Sequence, residues 1–71
     1  MRLLALDADG DMHVMEVSHA FYFEGENVLN IITADGEEYT VDDIYHPDVD
    51  NIINALYTDG KAELPAEFYI V

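Results

Sequence analysis

Val28-Leu29-Asn30-Ile31-Ile32-Thr33, then Ala34-Asp35-Gly36-Glu37, then Glu38-Tyr39-Thr40-Val41 reads as strand, tight turn, strand. The first run is rich in β-branched residues, which fit a pleated, half-buried surface. Asp35-Gly36 lies between two apolar runs, where a hairpin turn needs positive φ and glycine adopts it freely. Glu38 to Val41 alternates polar and apolar, the period of a strand with one buried face. The period then changes. Val49, Ile52, Ile53, Leu56 and Tyr57 fall at i, i+3, i+4, i+7 and i+8, one face of an amphipathic helix. Pro47 suits a first helical turn, and Asp48 and Asp50 sit where the helix dipole favours negative charge. Gly60 is placed to end the helix in a left-handed conformation. The spacing predicts one helix near residues 47–58.

Toward the N-terminus the strand pattern repeats. Arg2-Leu3-Leu4-Ala5-Leu6 ends at Asp7-Ala8-Asp9-Gly10-Asp11, a second Asp-Gly turn, with Met12 to Val17 as the return strand. Ala20-Phe21-Tyr22-Phe23 is a further short strand, closed by the turn Glu24-Gly25-Glu26-Asn27. After Pro65, Glu67-Phe68-Tyr69-Ile70-Val71 reads as a closing strand. The expected fold is α+β, one domain over residues 1–71. It is a small antiparallel β-meander of four to five strands packed on one helix, with a short C-terminal strand. The core candidates are Leu4, Leu6, Val14, Phe21, Phe23, Leu29, Ile31, Tyr39, Val41, Ile52, Ile53, Leu56 and Phe68.

Composition narrows the function classes. Sixteen Asp and Glu stand against two Lys and Arg, a formal net charge of −14 over 71 residues. With only Arg2 and Lys61 to neutralise phosphates, direct nucleic-acid binding is not expected, nor is attachment to an anionic membrane. No apolar run approaches the roughly 20 residues of a transmembrane helix. The opening Met1 to Asp11 turns acidic too soon for a signal peptide, and the expected location is cytoplasmic by default. There is no cysteine, so disulfides, thiolate nucleophiles and Cys-based zinc sites drop out. Acidic disordered chains are poor in aromatic and branched residues, whereas this one is 51% hydrophobic and should fold.

The motifs that could carry chemistry are weak. Asp7, Asp9 and Asp11 resemble the opening of a calcium loop, but its required glycine and bidentate glutamate fall on Met12 and Ser18. These carboxylates fit an acidic hairpin turn better. His13, His19 and His46 lack the helical spacing of a zinc motif and read as surface or boundary residues. Ser18 beside His19 is adjacency that fixes no triad, and no glycine-rich loop opens a helix after a strand. No catalytic residue, metal or cofactor is expected, and the chain reads as a non-enzyme. Tyr22, Tyr39, Tyr57 and Tyr69 read as core or core-rim, with Tyr45 at the sheet–helix boundary.

Between Val17 and Val71 the order Ala20, Tyr22, Glu24, Asn27, then Ile31, Thr33, Asp35-Gly36-Glu37, Tyr39, Val41, then a short helix and Tyr69-Ile70-Val71 resembles the first part of a LytTR-type domain. That family is a β-rich transcription-factor module with a small helix, which binds DNA through basic loops. The resemblance implies local strand order. It carries over no DNA contact: where the family has a basic segment, this chain has Ala62-Glu63-Leu64-Pro65-Ala66-Glu67, and the family's further C-terminal strands have no counterpart here.

The carboxylates concentrate in the turns and at the helix start, so a meander whose turns gather at two ends should show dense negative edges. Alternate residues of an extended strand lie about 6.6 Å apart on one side, similar in order to phosphates along a nucleic-acid strand. A small domain needs only about 2–8 net charges for solubility. The reading that follows is a non-enzymatic inhibitor or regulator that binds a basic, nucleic-acid-binding partner protein by mimicry, as small acidic phage and mobile-element proteins do. The contact set expected is Asp7, Asp9, Asp11, Glu24, Glu26, Asp35, Glu37, Asp42 and Asp43, with Asp42 and Asp43 alternatively helix-entry caps. An acidic adaptor or antitoxin-like module, or a LytTR-like regulatory fragment, is the alternative. Two further readings are adaptation to high salt, which the six Ile, four Asn and five Tyr argue against, and a housekeeping domain whose charge only provides solubility. Oligomeric state is left open, a homodimer included.

Overall fold

A computed structural model describes all 71 residues. The elements run β1 (Arg2–Leu6), β2 (Met12–Phe23), β3 (Val28–Thr33), β4 (Glu38–Val41), α1 (Asp48–Asp59) and β5 (Lys61–Glu63). They form one five-stranded mixed sheet in the order β4-β3-β2-β1-β5 with a single helix. The α+β class and the antiparallel β1–β2–β3–β4 run agree with the sequence reading. The sheet is not wholly a meander, because β5 leaves the helix and pairs parallel to β1, Arg2 with Lys61 and Leu4 with Glu63.

Two expected strands merge. Met12–Val17 and Ala20–Phe23 are halves of β2, a 12-residue strand whose first half pairs with β1 and second half with β3. Between Val17 and His19 the register shifts by one residue, a bulge centred on the polar Ser18. The bulge changes which alternate residues face inward. Met15 and Val17 are buried before it, Ala20 after it.

This corrects the expected core. Leu29, Ile31, Val41, Ile52 and Leu56 are buried, and Tyr39, Ile53 and Phe68 pack half-buried against them. Leu4 and Leu6 are only half-buried, however, and Val14, Phe21 and Phe23 are 64%, 39% and 45% exposed. The inner face of β1 and β2 carries Leu3, Ala5, Met15, Val17 and Ala20 instead. In a strand one step along the chain changes the face, so choosing Val14 over Met15 inverts the whole set. Ile44, Val49, Leu64 and Ile70 complete one continuous buried cluster.

The helix starts one residue later than expected. Gly60 ends it at φ 77°, donating its N–H to the Leu56 carbonyl at 3.1 Å. The expected closing strand over Glu67–Val71 is reduced to a bridge. Ile70 donates its N–H to the Leu6 carbonyl at 2.9 Å, and Val71 exchanges two backbone hydrogen bonds with Thr40 on β4. The last residues therefore link the β1 side of the sheet to its β4 edge, curling it around the core. No helix is long and apolar enough to cross a membrane.

Candidate functional site

Antiparallel alternation decides where the acidic turns go. The β1–β2 turn carries Asp7, Asp9 and Asp11, and the β3–β4 turn carries Asp35 and Glu37. Both turns lie toward one end of the strands, and one depression between them is lined by His13, Met15, Glu16, Asp35, Glu37 and Tyr39. The β2–β3 turn with Glu24 and Glu26 lies at the other end, as does the β4–α1 connection with Asp42 and Asp43. The Ile44 N–H donates to the Asn27 carbonyl at 3.1 Å, and the Tyr22 hydroxyl donates to the Ile44 carbonyl at 2.7 Å. Those two bonds hold that connection against the turn. The nine expected contact residues thus form two groups at opposite ends of the strands.

Within the first group three carboxylates, Asp7, Asp35 and Glu37, are committed to local hydrogen bonds. Asp7 Oδ1 accepts the N–H groups of Asp9 and Asp11 at 2.9 and 3.0 Å, and its Oδ2 lies 2.7 Å from His13 Nε2. These contacts hold the Asp7 carboxyl below the usual carboxylate range, the His13 bond most strongly. Carboxylate oxygens of Asp7, Asp9 and Asp11 lie within 4.8 Å of one another, but Asp7 is the anchor of its own turn. Asp35 accepts a hydrogen bond from the Thr33 hydroxyl, which lowers its pKa. The Tyr39 hydroxyl donates to Glu37 Oε2 at 2.8 Å, and this bond raises the tyrosine's pKa. Asp9, Asp11, Glu24, Glu26, Asp42 and Asp43 are exposed.

In the second group Asp42 and Asp43 are not helix caps. Pro47 occupies the cap position, and no side chain caps the helix. Asp43 instead takes φ 53°, a left-handed turn conformation that aspartate tolerates better than most residues. His46 joins this end, with Nδ1 2.8 Å from Asp50 Oδ1 and Nε2 3.7 Å from Glu24 Oε1. The i, i+4 spacing of His46, just ahead of the helix, and Asp50 in its first turn was the available signal for that pairing. The Tyr22 ring packs edge-on to His46, and burial raises the tyrosine's pKa.

Two tyrosines depart from the core-rim expectation. Tyr57 and Tyr69 are largely exposed, like Tyr45. The Tyr57 hydroxyl nevertheless accepts the Ala20 N–H at 3.1 Å and lies 3.2 Å from the Ala20 carbonyl, tying the helix to β2 just past the bulge. Arg2 and Lys61, far apart in sequence, are direct neighbours on β1 and β5. No carboxylate lies within 4.0 Å of either side chain. Comparison with family models, with curated proteins and with solved structures gave no match.

Proposed function

We propose that this chain is a non-enzymatic, cytoplasmic regulator that binds a basic surface on a nucleic-acid-binding protein and occupies the place of the phosphates. The observation that carries this reading is the exposure of turn carboxylates at both ends of the sheet with no Lys or Arg paired to any of them. Unpaired carboxylates repel one another and cost the fold stability, and a cationic partner relieves that repulsion on binding. Opposite charge also steers encounter, so association should be fast and should weaken steeply with salt. Direct DNA binding, the activity of LytTR-type domains, is not carried over, because two cations cannot supply the phosphate contacts.

The test is a pull-down with the whole chain from its native cell at low and high salt, followed by competition with DNA or RNA. Capture of a nucleic-acid-binding protein that salt elutes and nucleic acid displaces supports the proposal. Variants Asp9→Asn/Asp11→Asn/Glu37→Gln and Glu24→Gln/Glu26→Gln/Asp42→Asn then assign the contact to one end. A partner that binds equally well with its nucleic acid in place refutes mimicry in favour of an adaptor. Recovery of no basic partner at low salt refutes both.

A further inference from the structure

The outer face of β5, β1 and β2 differs from the rest of the surface. Strand pairing arranges it in rows: Lys61, Arg2 and Glu16; then Glu63, Leu4 and Val14; then Leu6 and Met12. Val14 is 64% and Met12 57% exposed, and Leu4 and Leu6 are half-buried. Arg2, Leu4, Val14, Lys61 and Glu63 line an open depression of about 570 Å³. The two cations of this face, Arg2 and Lys61, balance its two carboxylates, Glu16 beside Arg2 and Glu63 in the depression. The other fourteen carboxylates have neither Lys nor Arg among them.

We infer that this face is a two-fold interface between two copies of the chain. Each copy carries a net charge of −14, so contact between any other two surfaces sets carboxylate against carboxylate. The other exposed apolar pair, Phe21 and Phe23, leads directly into Glu24 and Glu26 and would meet that repulsion. Only the β5–β1–β2 face is both apolar and charge-balanced. A two-fold interface must be self-complementary. An axis running along β1 sets Leu4 against its counterpart and brings Lys61 of each copy opposite Glu16 of the other; the two Arg2 side chains meet on the axis, each beside both Glu16 carboxylates. The contact is face to face, because the free edge of β5 is only three residues long and carries Lys61 and Glu63, which blunt edge-to-edge pairing. The Glu24–Glu26 turn stays clear of the axis, whereas the two Asp7–Asp11 turns come side by side at its other end, which is the repulsion that salt must screen.

Sedimentation equilibrium of the full chain tests this at about 0.1 M and about 1 M salt, where the Debye length falls from roughly 10 to 3 Å. The expected result is a mass that rises from near 8.0 kDa toward twice that value as screening removes the repulsion. Val14→Asp should return it to 8.0 kDa at both salts, and circular dichroism should show the fold retained, since Val14 is exposed. Lys61→Glu should weaken dimerisation at least tenfold, and Lys61→Glu/Glu16→Lys should recover it. Lys61→Glu/Glu67→Lys, with the same net charge as wild type, should not. A wild-type mass of 8.0 kDa at both salts overturns the inference and leaves the face to a different protein. A dimer that survives Val14→Asp overturns it in favour of another surface.

Discussion

Leu3 and Leu4 are adjacent, chemically identical and on opposite faces of β1, so truncating each in turn tests the register directly. Leu3 is fully buried on the inner face, and Leu4 is half-buried on the outer one. Leu→Ala removes three carbons, worth about 0.8 kcal/mol each when buried, or about 2.4 kcal/mol of transfer energy. At Leu3 the surrounding core cannot close fully, and the residual cavity brings the cost to about 3–4 kcal/mol. At Leu4 half the transfer term is already forfeited to water and no cavity forms, leaving about 1 kcal/mol. A chain of this length has about 4–10 kcal/mol of stability in all, so Leu3→Ala should still fold but only marginally. With each kcal/mol moving the midpoint about 4–8 °C in a domain this size, the melts should fall by about 12–32 °C for Leu3→Ala and about 4–8 °C for Leu4→Ala. Thermal unfolding followed by far-ultraviolet circular dichroism at low protein concentration reads both without interference from dimerisation. Equal shifts, or a larger one for Leu4→Ala, would refute the face assignment and restore Leu4, Leu6 and Val14 to the core.

The melting midpoint of the wild type should rise with salt, because the Debye length contracts from about 30 Å at 0.01 M to 10 Å at 0.1 M and screens the repulsion. A midpoint indifferent to salt would mean the carboxylates do not interact. Gly60→Ala should cost about 1 kcal/mol by urea titration, from the left-handed backbone alone, since an added Cβ meets no atom within 4 Å. The lowered pKa of Asp7 stabilises the fold above the unfolded-state value of about 3.9 and is lost as pH falls through the folded value. Asp7→Asn should flatten acid unfolding in that window; an unchanged acid limb would remove Asp7 as a cause. Tyr57→Phe should cost about 1 kcal/mol in the same titration by leaving the Ala20 backbone without its hydroxyl partner.

Local signals in the sequence had local causes and survived folding. Gly36 takes φ 90° and Gly60 φ 77°, as the Asp-Gly turn and the helix end require. The spacing of Val49, Ile52 and Leu56 buries those three residues on one helix face. The inner face of β1 was not legible, because Leu3-Leu4-Ala5-Leu6 is apolar at every position and alternation cannot choose between its two sides. The alternation Met15-Glu16-Val17 did carry the answer for β2. It loses its phase at Ser18-His19, where the bulge lies. The parallel pairing of β5 with β1 left no trace in Lys61-Ala62-Glu63, since it depends on where the helix delivers the chain. The neighbourhood of Arg2 and Lys61 was hidden for the same reason. For the acidic residues, the turns that hold them and their division between two ends could be read; the joining of the β4–α1 connection to the Glu24–Glu26 turn through Tyr22, Asn27 and Ile44 could not.

That division bears on how the two proposed surfaces work together. Turns of an antiparallel run fall alternately at its two ends, so acidic turns produce two acidic poles and a less charged flank. The flank holding Arg2 and Lys61 is where a second copy would dock, and docking there leaves Glu24, Glu26, Asp42 and Asp43 free while bringing the two Asp7–Asp11 turns near each other. Dimerisation and capture of a basic partner then use separate residues but are coupled through charge. A bound cationic partner neutralises carboxylates that otherwise repel the second copy, so it should favour the dimer. By linkage the dimer should bind that partner more tightly in the same proportion. Val14→Asp separates the two: it should abolish dimerisation and weaken partner capture only to the monomer's level. Complete loss of capture would place Val14 in the partner contact itself and refute the separation of flank from poles.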